Sequence, residues 1–203
     1  MADDSFRPFE TRLDEVEALS VLRGALDGAE DGELFLERRR SESLKLDDGR
    51  IRQASYDATE GFGLRAVNGE VAGYAHSTDI SLSALRRAAE TARLAVGDGG
   101  GVMAPPPPGT NRHLYASTDP LAGSTFALRL DTLREIDAFA RDLDPRVVQV
   151  TASLAASLQE VEILRPEGIR LRDIRPMARL NVAVILDQDG RRESGSAGGG
   201  GRI

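Results

Sequence analysis

The chain has 203 residues, 33 acidic against 26 basic side chains, a net charge of −7, no Cys, no Trp and two His. That length can bury a core without disulfides, and the lack of Cys removes thiolate zinc sites, Cys nucleophiles, iron–sulfur clusters and redox switching. His76 and His113 lie 37 positions apart, so no His-based metal site is expected within the chain, and the acidic balance argues against a nucleic-acid surface. Of the 26 basic residues 25 are Arg, and the clusters Arg38-Arg39-Arg40 and Arg191-Arg192 read as solvated strand ends. No apolar run approaches the roughly 18 residues needed to span a membrane. The acidic start, Met1-Ala2-Asp3-Asp4-Ser5, lacks a signal-peptide core, so a cytoplasmic protein is expected.

In chain order, Phe9, Leu13, Val16, Leu19, Leu22 and Leu26 recur at three- to four-residue steps and predict a helix from Thr11 to Asp27, closed by Gly28. From Glu33 to His76 the period changes to two. Asp47-Asp48-Gly49 supplies one tight hairpin turn, and Asn68-Gly69 predicts a second, of type I′, between Phe62-Leu64-Ala66 and Val71-Gly73-Ala75. Ser81 caps a second predicted helix, with Leu82, Leu85, Ala89, Ala92 and Val96 as its apolar stripe. Residues 97–110, with Gly97-Asp98-Gly99-Gly100-Gly101 and Pro105 to Pro108, read as an exposed connector.

A third predicted helix follows Asp119-Pro120, burying Phe126, Leu130, Leu133, Ile136, Phe139 or Ala140, and Leu143, and stopping at Asp144-Pro145. Val148 to Leu154 alternate as a strand. Val161 and Ile163 predict a return strand before the turn at Pro166-Glu167-Gly168, Leu180 to Leu186 predict another strand, and Asp189-Gly190 turns the chain again. The order of elements predicts an α+β fold, with antiparallel meander sheets packed with three helices, in two sub-regions joined by a Gly/Pro-rich linker.

Five glycines stand among the last nine residues, Gly195 to Ile203. Consecutive amides without side chains can cradle an anion, but the P-loop Lys-Ser/Thr is missing and no Rossmann unit precedes the run. A strand that lets another backbone approach closely is the better reading, against the plain alternative of a flexible linker. Elsewhere, Ser41 and Ser43, or Ser77 with His76, make no nucleophile and base, because neighbours on a strand point to opposite faces. Asp47, Asp48, Asp57 and Glu60 sit at turns, where carboxylates ordinarily bond the backbone.

The stretch Asp48-Gly49-Arg50-Ile51, then Gly61-Phe62-Gly63-Leu64-Arg65-Ala66-Val67-Asn68-Gly69-Glu70, then Gly73-Tyr74-Ala75, resembles the N-terminal part of TldD proteins of the TldD/PmbA family, the modulators of DNA gyrase. The likeness continues through Leu114 to Leu121, Val150 to Leu154, Asp173-Ile174-Arg175-Pro176 and Gly198 to Arg202. It implies a cytoplasmic zinc metallopeptidase subunit that pairs with a PmbA-type (TldE-like) partner and cleaves unfolded or short peptides in a closed chamber, with no direct nucleic-acid binding and no membrane.

The resemblance also implies a His-Glu-x-x-x-His segment and a distant Cys as metal ligands, and neither is found here, so no catalytic or metal residue is assigned to this chain. The expectation is an N-terminal portion, cut before the catalytic domain and inactive alone. It divides into an N-terminal helix (1–30), a first α+β region of TldD/PmbA type (31–97), a Gly/Pro-rich linker (98–118) and a truncated second α+β region (119–203). Gly198, Gly199, Gly200, Gly201 and Arg202 are the candidates for close approach to substrate or partner. The rival readings are a non-catalytic PmbA/TldE-like subunit and a stand-alone peptide-binding module.

Overall fold

Asp14 decides how the chain begins. Its carboxylate accepts the Glu17 amide at 2.9 Å, and Glu15 and Glu17 in the first turn favour the positive end of the helix it caps. The computed structural model, which describes residues 5–97 and 116–202, therefore has two helices where one was expected. They are α1 (Pro8–Thr11), with Pro8 in its first turn, and α2 (Glu15–Ala25). The break rephases the apolar face: Ala18, Leu22 and Ala25 are buried, while Val16, two residues before Ala18 and so on the far side, is 77% exposed.

The period-two segments form three strands, β1 (Asp31–Asp47), β2 (Arg50–Asn68) and β3 (Val71–Ser77). Asp48 and Gly49 both have positive φ, at 51° and 70°, the pattern of a type I′ turn. The second turn differs from the expected one. Asn68 pairs with Val71, so the loop is Gly69-Glu70, and only Gly69 (φ 59°) is left-handed, as in a type II′ turn. The Gly69 amide donates to Glu30 at 3.1 Å, and the loop starts one residue later than the Asn-Gly dipeptide suggests, with the glycine first in it.

Ser81 caps α3 (Leu82–Val96), and Gly97 (φ 68°) ends it. The linker reading of 98–118 falls almost wholly outside the described residues, as do His113 and Ile203. Thr125 caps α4 (Phe126–Leu143). Its expected apolar face is only partly realised. Leu130 and Leu133 are buried, whereas Phe126, Phe139 and Leu143 are 52%, 65% and 69% exposed. The strip it packs on, Leu44, Leu46 and Ala152, is short enough that only the middle turns of α4 meet it.

The last three strands are β4 (Val147–Leu164), β5 (Arg170–Gln188) and β6 (Arg191–Gly201). No turn separates Leu154 from Val161. The expected return strand is the second half of β4, since residues 155–160 carry no Gly or Pro to reverse the chain. Asp189 (φ 54°) and Gly190 (φ 86°) close the β5–β6 hairpin as another type I′ pattern. Among the described residues the meanders join in one six-stranded antiparallel sheet of order β3-β2-β1-β4-β5-β6, and with four helices the fold is α+β.

Two compact units interleave along the chain. Among the described residues the first takes 5–38, 59–97 and 160–174, the second 39–58, 116–159 and 175–202. The first unit's core gathers Leu22, Leu34, Leu36, Phe62, Leu64, Leu85, Ala92 and Leu164. Here α3 lies against β3 so closely that a Cβ on Gly73 would strike the Ala92 carbonyl oxygen. The second unit's smaller core is Leu44, Leu46, Leu130, Leu133 and Ala152.

Candidate functional site

Glycine is a weak strand former, so the C-terminal run needs a template. β5 supplies it. The register runs from Gln188↔Arg191 to Ala178↔Gly201 without a break, and the Asp187 carboxylate ties the turn by accepting from the Gly190 amide and the Arg192 guanidinium, each at 3.0 Å. Gly198 to Gly201 thus stand in β6, with Arg202 just beyond it, and β6 is the last strand of the sheet. The linker reading of the run gives way to a strand. In a ladder successive amides alternate in direction, so these do not converge as an anion cradle would require.

The glycines divide into two sets. A Cβ on Gly198 would meet the Asn181 side chain and the Leu180 carbonyl, and one on Gly200 would meet the Ala178 carbonyl and the Arg179 backbone. Gly195, Gly199 and Gly201 face open space. The first set is explained by the fit of β6 onto β5. The second leaves a stretch of exposed backbone without side-chain cover. On the outer side of β6 every second N–H and C=O points away from β5, and no strand of the described residues pairs with them. Pro176 lies on β5 beyond the β6 register, where its missing N–H costs β6 nothing.

The other residues singled out from sequence are occupied structurally. Ser43 bonds Ser55 at 2.8 Å. Ser77 accepts the Asp79 amide, while His76 stacks on Tyr74 with ring centroids 5.8 Å apart. Asp47 accepts from the Thr151 hydroxyl at 2.7 Å and the Gln149 amide at 2.9 Å, which hold its carboxyl below the usual range. Asp48 pairs with Arg141, and Glu60 with Arg12. Asp57 is exposed on β2. A groove of about 330 Å³ at the start of α4, between Tyr56 and Phe126, has its charged residues Glu42 and Arg129 paired with each other.

One reading is corrected outright. Arg38 and Arg40 are not solvated strand ends; they lie mid-strand on β1, with side chains 16% and 18% exposed, paired with Glu160 at 2.8 Å and Asp119 at 3.0 Å. Arg191 and Arg192, at 82% and 71%, do face solvent. The carboxylates behind this correction were missed. Glu160 and Glu162 are 3% and 0% exposed on β4, where their alternation with Val161 and Ile163 suggests a solvent face. Glu160 accepts from Arg38 and from the Phe6 amide, and Glu162 faces Arg170 at 2.9 Å. Burial pushes the Glu162 carboxyl up despite Arg170 beside it. The one available signal was a surplus of arginines, Arg165, Arg170 and Arg172, just downstream.

None of this forms a metal centre. Among the described residues no group of three or more His, Cys, Asp or Glu side chains is placed to hold an ion. The buried carboxylates are already committed to arginines, so these residues do not fit zinc. Nor is any helix of the described residues long and apolar enough to cross a membrane.

Two family models match the chain, PmbA/TldA metallopeptidase domain 1 over residues 32–96 and the PmbA/TldA metallopeptidase central domain over 119–203. Metalloprotease TldD homologs are similar to it, that of Haemophilus influenzae with 35% identity over 174 residues and that of Buchnera aphidicola subsp. Schizaphis graminum with 34% over 172. Each alignment takes in 84% of this chain but 36% of the relative, so the chain spans about a third of their length. Among solved structures, TldE from Thermococcus kodakarensis aligns with a TM-score of 0.73 at 14% identity, over 92% of this chain and 43% of that one. A candidate modulator of a DNA gyrase from Thermotoga maritima gives 0.75 at 16%, over 93% and 43%. Those two likenesses establish a shared fold, and together with the two family models and the curated relatives they lead to one conclusion: the chain belongs to the PmbA/TldD metallopeptidase family.

Proposed function

We propose that this chain is the N-terminal portion of a cytoplasmic TldD-like zinc metallopeptidase subunit. It helps form the peptide-binding chamber and the interface with a PmbA/TldE-like subunit. By itself it is inactive, the metal and its ligands being supplied from outside these 203 residues. The observation that carries this reading is the outer edge of β6, where Gly199 and Gly201 face open space and the backbone is unpaired among the described residues.

An extended peptide laid along that edge would bond main chain to main chain. Such a mode fixes the direction of a substrate while ignoring its side chains, which suits unfolded or short peptides of varied sequence. Glycines on the receiving strand leave room for whatever side chains the peptide carries. The unbroken pairing with β5 holds β6 in an extended conformation, so the peptide meets a preformed template. Arg202, at the end of the run, belongs to the same approach surface.

The test separates approach from folding. Gly199→Val adds a side chain into open space and should leave the chain folded while reducing peptide binding. Gly200→Val collides with β5 and should destabilise β6 itself. Unchanged peptide binding by a folded Gly199→Val variant would count against the proposal.

A further inference from the structure

Along the face of β1 turned away from the first unit's core, Asp31, Glu33, Phe35 and Glu37 alternate with the buried Gly32, Leu34 and Leu36. Two of the three carboxylates are matched by arginines. Arg65 reaches Asp31 at 3.0 Å and Glu33 at 3.4 Å, and Arg165 reaches the same two at 2.8 and 3.4 Å. Glu37 is half-buried and makes no hydrogen bond or ion pair among the described residues. The reason lies on β2. The residues that follow Arg65 on its own face, in the direction of Glu37, are Gly63 and Gly61, which have no side chain to offer.

The gap left by these glycines is a trough of about 230 Å³, with Phe35 and Glu37 on one side and Tyr74 and His76 of β3 on the other. The two β3 rings stack with 27° between their planes, and Tyr74 leans over Gly63 so closely that a Cβ there would strike its ring. Neither the Tyr74 hydroxyl nor the His76 ring makes a hydrogen bond among the described residues. Aromatic faces beside a carboxylate with no cation are the chemistry of a cation site, and the flat geometry favours guanidinium. Its fork bonds a carboxylate at two points while its plane stacks on a ring; an ammonium does neither.

We propose that this trough binds the arginine side chain of an extended peptide or protein segment, its guanidinium pairing with Glu37 and stacking against Tyr74 and His76. The incoming arginine completes the row that Arg65 and Arg165 begin. The inference stands apart from the peptidase reading, since it needs neither metal nor turnover.

An amide NMR titration of the 203-residue chain with acetyl-Ala-Arg-Ala-amide tests it, against the citrulline counterpart, which keeps the shape without the charge, and against free arginine. The expected result is shifts centred on Gly61, Gly63, Tyr74 and His76, with affinity for the arginine peptide at least about fivefold above the citrulline peptide and reduced by a similar factor in Glu37→Gln. Glu37→Gln breaks no internal pair, so its spectrum should otherwise match the parent. Tyr74→Ala should weaken binding as well. Equal binding of arginine and citrulline peptides, an unaffected Glu37→Gln variant, or shifts centred elsewhere would overturn the proposal. Free arginine binding as tightly as the peptide would overturn its assignment to a polypeptide.

Discussion

The backbone amide of Phe6 donates to the buried carboxylate of Glu160 at 2.9 Å, across 154 residues of sequence. The same carboxylate accepts from Arg38, whose guanidinium lies 5.8 Å from the Phe6 ring centroid, and Arg170 lies 5.3 Å from that of Phe9. The segment ahead of α2 is thus fastened to the first unit by a charge cluster rather than by apolar burial alone.

Glu160→Leu takes away that acceptor while leaving the Phe6 amide and the Arg38 guanidinium in place. Breaking a buried pair from one side costs about 3–5 kcal/mol, mainly through the charge left behind. Urea unfolding should show a loss of that order, and exchange of the Phe6 amide should rise with it. A loss below about 1 kcal/mol would mean that the carboxylate is not the fastening.

Gly73→Ala places a methyl group against the Ala92 carbonyl and the Ala95 side chain. Helix α3 would have to lift from β3, and overpacking of this kind costs about 1–3 kcal/mol. The thermal midpoint should fall. A Gly69→Ala control in the same hairpin meets no neighbouring atom, so any loss there reports the left-handed backbone (φ 59°) alone.

Low pH should act with opposite sign on two sets of carboxyls. In the second unit Asp144 is held at about 2, against an ordinary 3.8, by the side chain and then the amide of Arg146. Asp47, through Thr151 and Gln149, and Asp187, through Arg192 and Gly190, are also lowered. Each binds a proton less readily folded than unfolded, so its stabilisation is complete above the ordinary value and lost as pH falls through its lowered folded value, about 2 for Asp144. In the first unit burial raises Glu162, so the folded state takes up its proton first; the cost of its charge is present above that raised value and relieved as pH falls toward 4.5. Carboxyl NMR titration checks both directions. Asp144 titrating at 3.8, or Glu162 below 4.5, would contradict this account.

Much of the fold could be read from local chemistry. Asp48-Gly49 and Asp189-Gly190 form the turns their types favour, and Ser81 caps the helix that follows it. What escaped was set by distant partners. Glu162 looks like a solvent residue until Arg170 is brought to it, and Phe139 looks like a core residue until α4 meets too short an apolar strip. Asn68 was displaced from its turn by the bond between Gly69 and Glu30, 39 residues apart. The glycine run was legible as a strand that tolerates close approach. Its division into Gly198 and Gly200 against β5, and Gly199 and Gly201 in the open, depends on the pairing register, which composition does not encode.

The most direct test of the peptide-binding account is residue-resolved hydrogen exchange of the chain with and without an unstructured peptide. Added peptide should protect alternate amides between Ser194 and Gly201, those pointing away from β5, and Gly199→Val should abolish the effect. Unchanged exchange along β6 at peptide concentrations that demonstrably bind the chain would contradict it.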